Sequence, residues 1–223
     1  MDGKLVLQAL GKIILGFLLT ALLLFVPAGT LHYWNGWLLM AALFIPMLIA
    51  GFVMLFKAPE LLRRRLNAKE KQTEQKGVIA WSGLLFAASF VLAGLGFRFG
   101  WPMLPRWASL VFTGVFLLGY ALFGEVLREN EFLSRTVEVQ DGQRVVDTGL
   151  YGIVRHPMYS ATLLMFLSMP LILGSIFSFI VMLGYLPVLA VRIRGEEALL
   201  ERELDGYADY MKKVKYRLIP CIW

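Results

Sequence analysis

The chain is short of charge, nearly free of cysteine and histidine, and without the motifs that mark soluble nucleotide- or metal-dependent enzymes. Its 223 residues include one cysteine, Cys221, and two histidines, His32 and His156. A single thiol excludes an intrachain disulfide, and the sequence distance to either histidine leaves it without the base that a nucleophilic cysteine needs. Two histidines also argue against a histidine-built metal centre, so no metal is expected. No P-loop is present, and Gly94-Leu95-Gly96 lies in an apolar run and lacks the third glycine of a dinucleotide fingerprint. Charged residues are 17% of the chain, against about 25% in soluble domains. Apolar residues are 58% and the mean hydropathy is +0.67. A soluble fold of this length has no way to hide that surface, which excludes an ordinary soluble globule, a disordered chain and a disulfide scaffold together.

An integral membrane protein remains. The first apolar run follows Lys4 and Lys12 and precedes Pro27-Ala28-Gly29-Thr30, a weak resemblance to a cleavage site, and we read it as a first span over about Leu5 to Val26. Three more spans follow, about Trp37 to Phe56, Val78 to Phe97 and Ala108 to Leu127. The stretch Ser160 to Val191 is too long for one span and short for two. Leu173-Gly174-Ser175 at its middle is a turn signal flanked by Pro170 and Pro187, and predicts a hairpin of two short helices, with one kinked, tilted span as the rival.

Charge placement supports six crossings. Lys57, Arg63, Arg64, Arg65, Lys69, Lys71 and Lys76 fall between spans two and three, and Arg128, Arg135, Arg144 and Arg155 between spans four and five. The tail adds Arg192, Arg194, Arg202, Lys212, Lys213, Lys215 and Arg217, whereas the alternate connections hold only Arg98 and Arg106. By the positive-inside rule both termini are cytoplasmic. The net charge of +6 is then explained by topology and anionic membrane lipids, with no nucleic acid partner. His32, Tyr33, Trp34 and Trp37 read as an interfacial aromatic belt in the first external loop.

Three polar segments line the cytoplasmic side. In Lys57 to Lys76, Leu61, Leu62, Leu66 and Ala68 can rest on the bilayer surface of an otherwise solvated linker. Ser134 to Thr148 is a long loop turning at Asp141-Gly142, with Val137 and Val139 alternating before the turn and Val145 and Val146 after it. In Arg192 to Val214, the residues Leu200, Leu204, Tyr207, Met211 and Val214 recur at steps of four and three, one apolar stripe on a charged, amphipathic C-terminal helix that docks on the membrane domain or headgroups. The fold class expected is therefore all-α, a polytopic membrane helix bundle with a cytoplasmic amphipathic helix.

Chemistry concentrates at two places. His156 stands in Gly149-Leu150-Tyr151-Gly152-Ile153-Val154-Arg155-His156-Pro157-Met158-Tyr159, where a loop enters the fifth span and Pro157 is placed to start a helix. A helix entry with interfacial anchors explains these residues structurally. A helix N-terminus also presents unpaired N–H groups to a carboxylate or phosphate. Arg192 and Glu196, four apart, share a helix face where the last span leaves the membrane.

The ordered set Gly149-x-Tyr151-x-x-x-Arg155-His156-Pro157-x-Tyr159, Glu196-Glu197-x-x-Leu200, Tyr207-x-x-Tyr210-x-x-x-Val214 and Leu218-Ile219-Pro220 resembles the integral-membrane methyltransferases of the isoprenylcysteine carboxyl methyltransferase and phospholipid N-methyltransferase group. The resemblance covers about Arg144 to Pro220. It implies S-adenosyl-L-methionine bound at the cytoplasmic face and a lipophilic acceptor arriving from the bilayer, with residues 1–127 as four N-terminal spans and 128–223 as the cofactor-binding core of one membrane domain. By position it assigns the cofactor to Gln143, Arg144, Val145, Val146, Tyr151, His156, Pro157, Met158, Tyr159 and Glu196, and the acceptor to Arg192. Gln143 stands where prenylcysteine enzymes typically carry a histidine, and Ser160 where a glycine often follows the second tyrosine.

The physical chemistry of these side chains suits that assignment. Methyl transfer asks a protein mainly for alignment. Tyr151 and Tyr159 can hold a sulfonium or adenine by π contacts, and Glu196 can accept from an ammonium or from ribose hydroxyls. Arg192 can orient a carboxylate bidentately, whereas an amine acceptor, as in a phospholipid N-methyltransferase, needs a base, for which Glu196 and Glu197 are the candidates. Two other readings stand beside this one. Some membrane sterol reductases have a similar C-terminal module and bind NADPH. A small transporter or channel is opposed by the lack of a charge in the middle of any span, Glu125 near the end of the fourth being the nearest exception.

Overall fold

A computed structural model of the protein describes residues 3–67, 73–133 and 139–223. Ala68, Lys69, Lys71, Ser134, Arg135 and Val137, invoked above, lie outside the described residues. The chain forms α1 (Gly3–Ala28), α2 (Trp34–Lys57), α3 (Pro59–Asn67), α4 (Thr73–Arg98) and α5 (Arg106–Glu129), then a 3-10 turn (Gly149–Gly152). After it come α6 (Pro157–Ile172), α7 (Ile176–Leu183), α8 (Tyr185–Glu203) and α9 (Tyr207–Lys213). No β-strand occurs among the described residues beyond an isolated bridge between Met103 and Ser175. Runs this apolar have no water with which to pair backbone N–H and C=O groups, so the helix, which satisfies them internally, is the available structure.

The protein is a multi-pass membrane helix bundle. α1, α2, α4, α5 and the leg Ile176–Glu203, made of α7 and α8, are long and apolar enough to cross a bilayer. Leu7, Ile14, Leu18, Ile49, Phe52, Trp81 and Leu110 project outward from them, each at least 45% exposed, the outer surface expected of helices solvated by lipid. Proline marks the boundaries: Ala58, before Pro59, ends α2, and Pro59 and Pro157 occupy the first positions of α3 and α6, where no N–H is needed.

The hairpin expected over 160–191 is present, with unequal legs. α6 has 16 residues, about 24 Å at 1.5 Å per residue, against 24 residues in α5. The returning leg is the longer one, broken only at Gly184 between α7 and α8. Ser175 caps α7 by accepting from the Ser178 amide at 3.2 Å, and Gly174, at φ +75°, makes the turn. Three residues clamp that turn. The Tyr33 hydroxyl donates to the Leu173 carbonyl at 2.6 Å, the Asn35 amide to Ile172 O at 2.8 Å and to Ser109 Oγ at 2.9 Å, and Leu104 N to Gly174 O at 2.9 Å.

The aromatic-belt reading therefore fails for Tyr33. It is fully buried and stacked on Phe97 at 4.5 Å between centroids, because a buried carbonyl satisfies its hydroxyl. Trp37 keeps the half-exposed interfacial role, its indole N–H bonded to Leu31 O at 2.8 Å.

α5 and α6 pack closely because Gly119 has no side chain: a Cβ there would stand 2.6 Å from Met165 Cγ and 3.2 Å from Ala161 O. This register sets Pro157 roughly one turn short of the end of α5. The short helix thus leaves a recess at the charged end of the bundle. The tail fills its outer wall, and it is not the single helix expected over 192–214. α8 ends at Glu203, Gly206 takes φ +83°, and α9 turns back. Asp205-Gly206 supplies a turn that the four-and-three spacing conceals. The apolar stripe of Leu200, Leu204, Tyr207, Met211 and Val214, joined by Tyr210, packs on Val139 and Val145 of the long loop.

Candidate functional site

The recess is a cleft whose walls come from four segments: the end of α5, the loop at 143–146, the entry to α6, and α8 with α9. It is a narrow slot, with a cavity volume of about 90 Å³. Gln143, Arg144, Val145, Val146, Tyr151, His156, Met158, Tyr159, Arg192 and Glu196 all line it. Pro157 does not; its part is to start α6.

Each wall is anchored by a specific contact. At the end of α5 both Glu129 oxygens accept from Leu150 N, at 3.0 and 3.2 Å, and Asn130 Nδ2 donates to the Tyr151 hydroxyl at 2.9 Å. The approach is so close that a Cβ on Gly149, which also sits at φ +52°, would stand 1.7 Å from Glu129 Oε1. The leading glycine of the motif is thus a steric requirement. Tyr210 Oη donates to the Tyr151 carbonyl at 2.7 Å, tying α9 to the 3-10 turn. Burial pushes the Tyr151 phenol up to about 12 and raises those of Tyr207 and Tyr210 further, so all three are neutral hydrogen-bonding groups at ordinary pH.

Adjacent glutamates separate into different tasks. Glu197 turns inward, with a side chain 7% exposed. Its Oε1 accepts from Arg155 Nε at 2.8 Å and lies 3.2 Å from His156 Nε2, and its Oε2 accepts from Arg217 Nε at 2.8 Å. Arg155 Nη1 donates onward to the carbonyls of Val214 and Lys215, at 2.8 and 2.9 Å. The 214–218 segment is strapped beside the α6 entry by Arg155 N to Tyr216 O and His156 N to Arg217 O, both at 2.9 Å, and by Ser160 Oγ to Leu218 O at 2.7 Å. Glu196 faces the cleft. It accepts a short hydrogen bond from the Tyr159 hydroxyl, which in turn accepts from Arg192 Nε at 3.0 Å. With three basic side chains on its oxygens, Glu197 is a structural node and no proton acceptor, which leaves Glu196 as the carboxylate available for chemistry.

The helix entry offers an anion less than the sequence suggests. Pro157 has no N–H, and the amides of Tyr159 and Ser160 donate to the His156 carbonyl at 3.0 and 3.1 Å, so at most the Met158 amide of the first turn is left. His156 spends Nε2 on Glu197 and lays its ring 5.6 Å from that of Tyr159. Sequence reasoning also passed over Asn130, Phe132, Leu133, Arg155, Leu199, Leu204, Tyr207 and Tyr210 as cleft residues. Helical spacing was the usable signal for Leu199, three residues beyond Glu196; Asn130, Phe132 and Leu133, just past the end of α5, come near only through the α5–α6 register.

Fold and site together define a multi-pass membrane helix bundle that holds a narrow polar and aromatic cleft at its charged end. The family model described as phospholipid methyltransferase matches residues 107–205, from α5 through α8. The match covers less than half of the chain and likens that segment to the isoprenylcysteine and phospholipid methyltransferases. Two curated relatives are Delta(14)-sterol reductases. The one from Mus musculus is 31% identical over 91 residues, 40% of this chain and 22% of the relative. The one from Methylotuvimicrobium alcaliphilum is 25% identical over 135 residues, 54% of this chain and 32% of the relative. The chain thus spans a third or less of the length of these relatives.

Proposed function

We propose that this chain is an S-adenosyl-L-methionine-dependent methyltransferase that acts on a lipophilic acceptor at the cytoplasmic membrane boundary, with both termini on the cytoplasmic side. The observation that carries the reading is the cleft itself, where Glu196, Tyr159 and Arg192 form one hydrogen-bonded row on α6 and α8 at the level where the short helix begins. The residues fit the cofactor. Glu196 would hold its ammonium or ribose hydroxyls, the rings of Tyr151 and Tyr159 would face the sulfonium or adenine, and Gln143 to Val146 would close over it. A buried tyrosine hydroxyl with no partner among the described residues, on Tyr207, is a further polar group in the same wall. When bound, the cofactor supplies an electrophilic methyl group on sulfonium sulfur.

The protein's share of the reaction is alignment and exclusion of water. Arg192, beside Tyr159 at the membrane-facing end of the row, would orient an anionic acceptor such as a prenylcysteine-like carboxylate, which is ionised at neutral pH and needs no base. A phospholipid amine would require Glu196 to take up a proton.

Calorimetric titration of the detergent-purified protein with S-adenosyl-L-methionine tests the reading. Wild type binds, and Glu196→Gln loses at least about tenfold in affinity, the equivalent of one charge-assisted hydrogen bond. No binding by the wild type refutes it. The sterol reductase relatives favour a second reading, reduction with NADPH, and binding of NADPH without S-adenosyl-L-methionine would establish that instead.

A further inference from the structure

One polar atom in the cleft wall is left over by every interaction described so far. Tyr207 opens α9 directly after the turn at Gly206, and the residue is 4% exposed. Its hydroxyl is sealed from water and has no hydrogen-bond partner among the described residues. The other three tyrosines of the wall are all satisfied: Tyr151 by Asn130, Tyr159 by Glu196 and Arg192, and Tyr210 by the Tyr151 carbonyl. Buried hydroxyls in native proteins nearly always have a partner, and one without it is a cost that a phenyl ring would not incur. Packing does not need the oxygen, because the ring alone makes the contacts with Leu204, Val214 and Tyr210.

We propose that Tyr207 is a cofactor-contacting residue whose hydroxyl donates a hydrogen bond to a polar atom of S-adenosyl-L-methionine and is satisfied only in the bound state. The inference rests on the function proposed above. Burial and the nearby carboxylates of Glu197 and Glu196 keep the phenol protonated, so the group it offers is an O–H donor. A hydroxyl that is already dry has no water to lose when the ligand arrives, so more of the bond's strength appears as affinity than for an exposed group. Sealing also means that the ligand must displace α9 slightly, and Gly206 is the joint at which α9 meets α8.

Tyr207→Phe in the full chain, purified in detergent, separates this role from a structural one. Two quantities are measured, the apparent melting temperature without ligand and the Kd for S-adenosyl-L-methionine by calorimetry, with Tyr210→Phe as comparison. The expected result is a ligand-free melting temperature equal to or above wild type and a Kd weakened about three- to tenfold, the worth of one hydrogen bond. Tyr210→Phe, which removes a satisfied bond, lowers the ligand-free melting temperature. A Tyr207→Phe protein that melts lower than wild type or fails to fold overturns the proposal, because the hydroxyl is then part of the packing. Wild-type binding with an unchanged Kd in Tyr207→Phe overturns it while leaving the proposed function standing. Absence of wild-type binding removes both.

Discussion

Neighbouring glutamates should respond to the same truncation in opposite ways. Glu197→Ala deletes the acceptor shared by Arg155, His156 and Arg217, at 2.8, 3.2 and 2.8 Å. Arg155 and His156 side chains are only 7% and 4% exposed, so the guanidinium is left as a buried charge without its counter-ion. Breaking such a pair from one side costs about 3–5 kcal/mol. Arg217 is 33% exposed and finds water instead, which places the expectation at the lower end, about 3–4 kcal/mol. For a chain of this size each kcal/mol moves the melting temperature by about 2–4 °C, so the drop is roughly 6–16 °C. Glu196→Ala removes the acceptor of the Tyr159 O–H, which still accepts from Arg192, and the opened cleft admits water in the carboxylate's place, so it costs about 1 kcal/mol. Its loss falls on cofactor affinity. Melting in detergent, followed by tryptophan fluorescence at a fixed scan rate, reads the first quantity and calorimetry the second. Equal melting shifts for the two variants would refute the division of labour.

Gly149→Ala should cost about 3 kcal/mol, from a left-handed φ of +52° and the displacement of Glu129 from Leu150 N; combining it with Glu129→Ala should cost less than the sum of the two, and full additivity in the thermal shifts would exclude the clash. Asn35→Ala, at the far end of the bundle, leaves Ile172 O without this donor and removes the bond to Ser109, so it should lower stability by about 1–3 kcal/mol while cofactor affinity stays at the wild-type value. In alkali, the Tyr151 phenol has an ordinary value of 10.0 unfolded and about 12 folded. Its contribution to stability is therefore complete below pH 10 and lost as pH rises toward 12, and Tyr151→Phe should remove part of the decline in melting temperature over that window. An identical decline in the variant would show that the phenol is not desolvated.

Some of this protein follows from composition and order alone. Apolar run lengths gave the long helices and the hairpin turn at Leu173–Ser175, because the cost of unpaired backbone groups in hydrocarbon is paid locally, helix by helix. The resemblance assigned ten of the nineteen residues that line the cleft before any packing was known. Tertiary structure decided what depends on register. Nothing in the spacing of Glu196 and Glu197 tells which one faces the cleft; that is fixed by where α8 lies against α6 and by the 214–218 strap that brings Arg217 to the inner side. Tyr33 reads as an interfacial residue until a carbonyl 140 positions away satisfies its hydroxyl. The break in the tail helix is invisible to periodicity, since a turn at Gly206 preserves the four-and-three pattern while reversing its partner from membrane to loop. Local sequence specifies which residues are apolar and which are helical. Only close packing, with Gly119 setting the α5–α6 register and α6 one turn too short, specifies where the charged end opens into a cleft and which side chains it leaves facing inward.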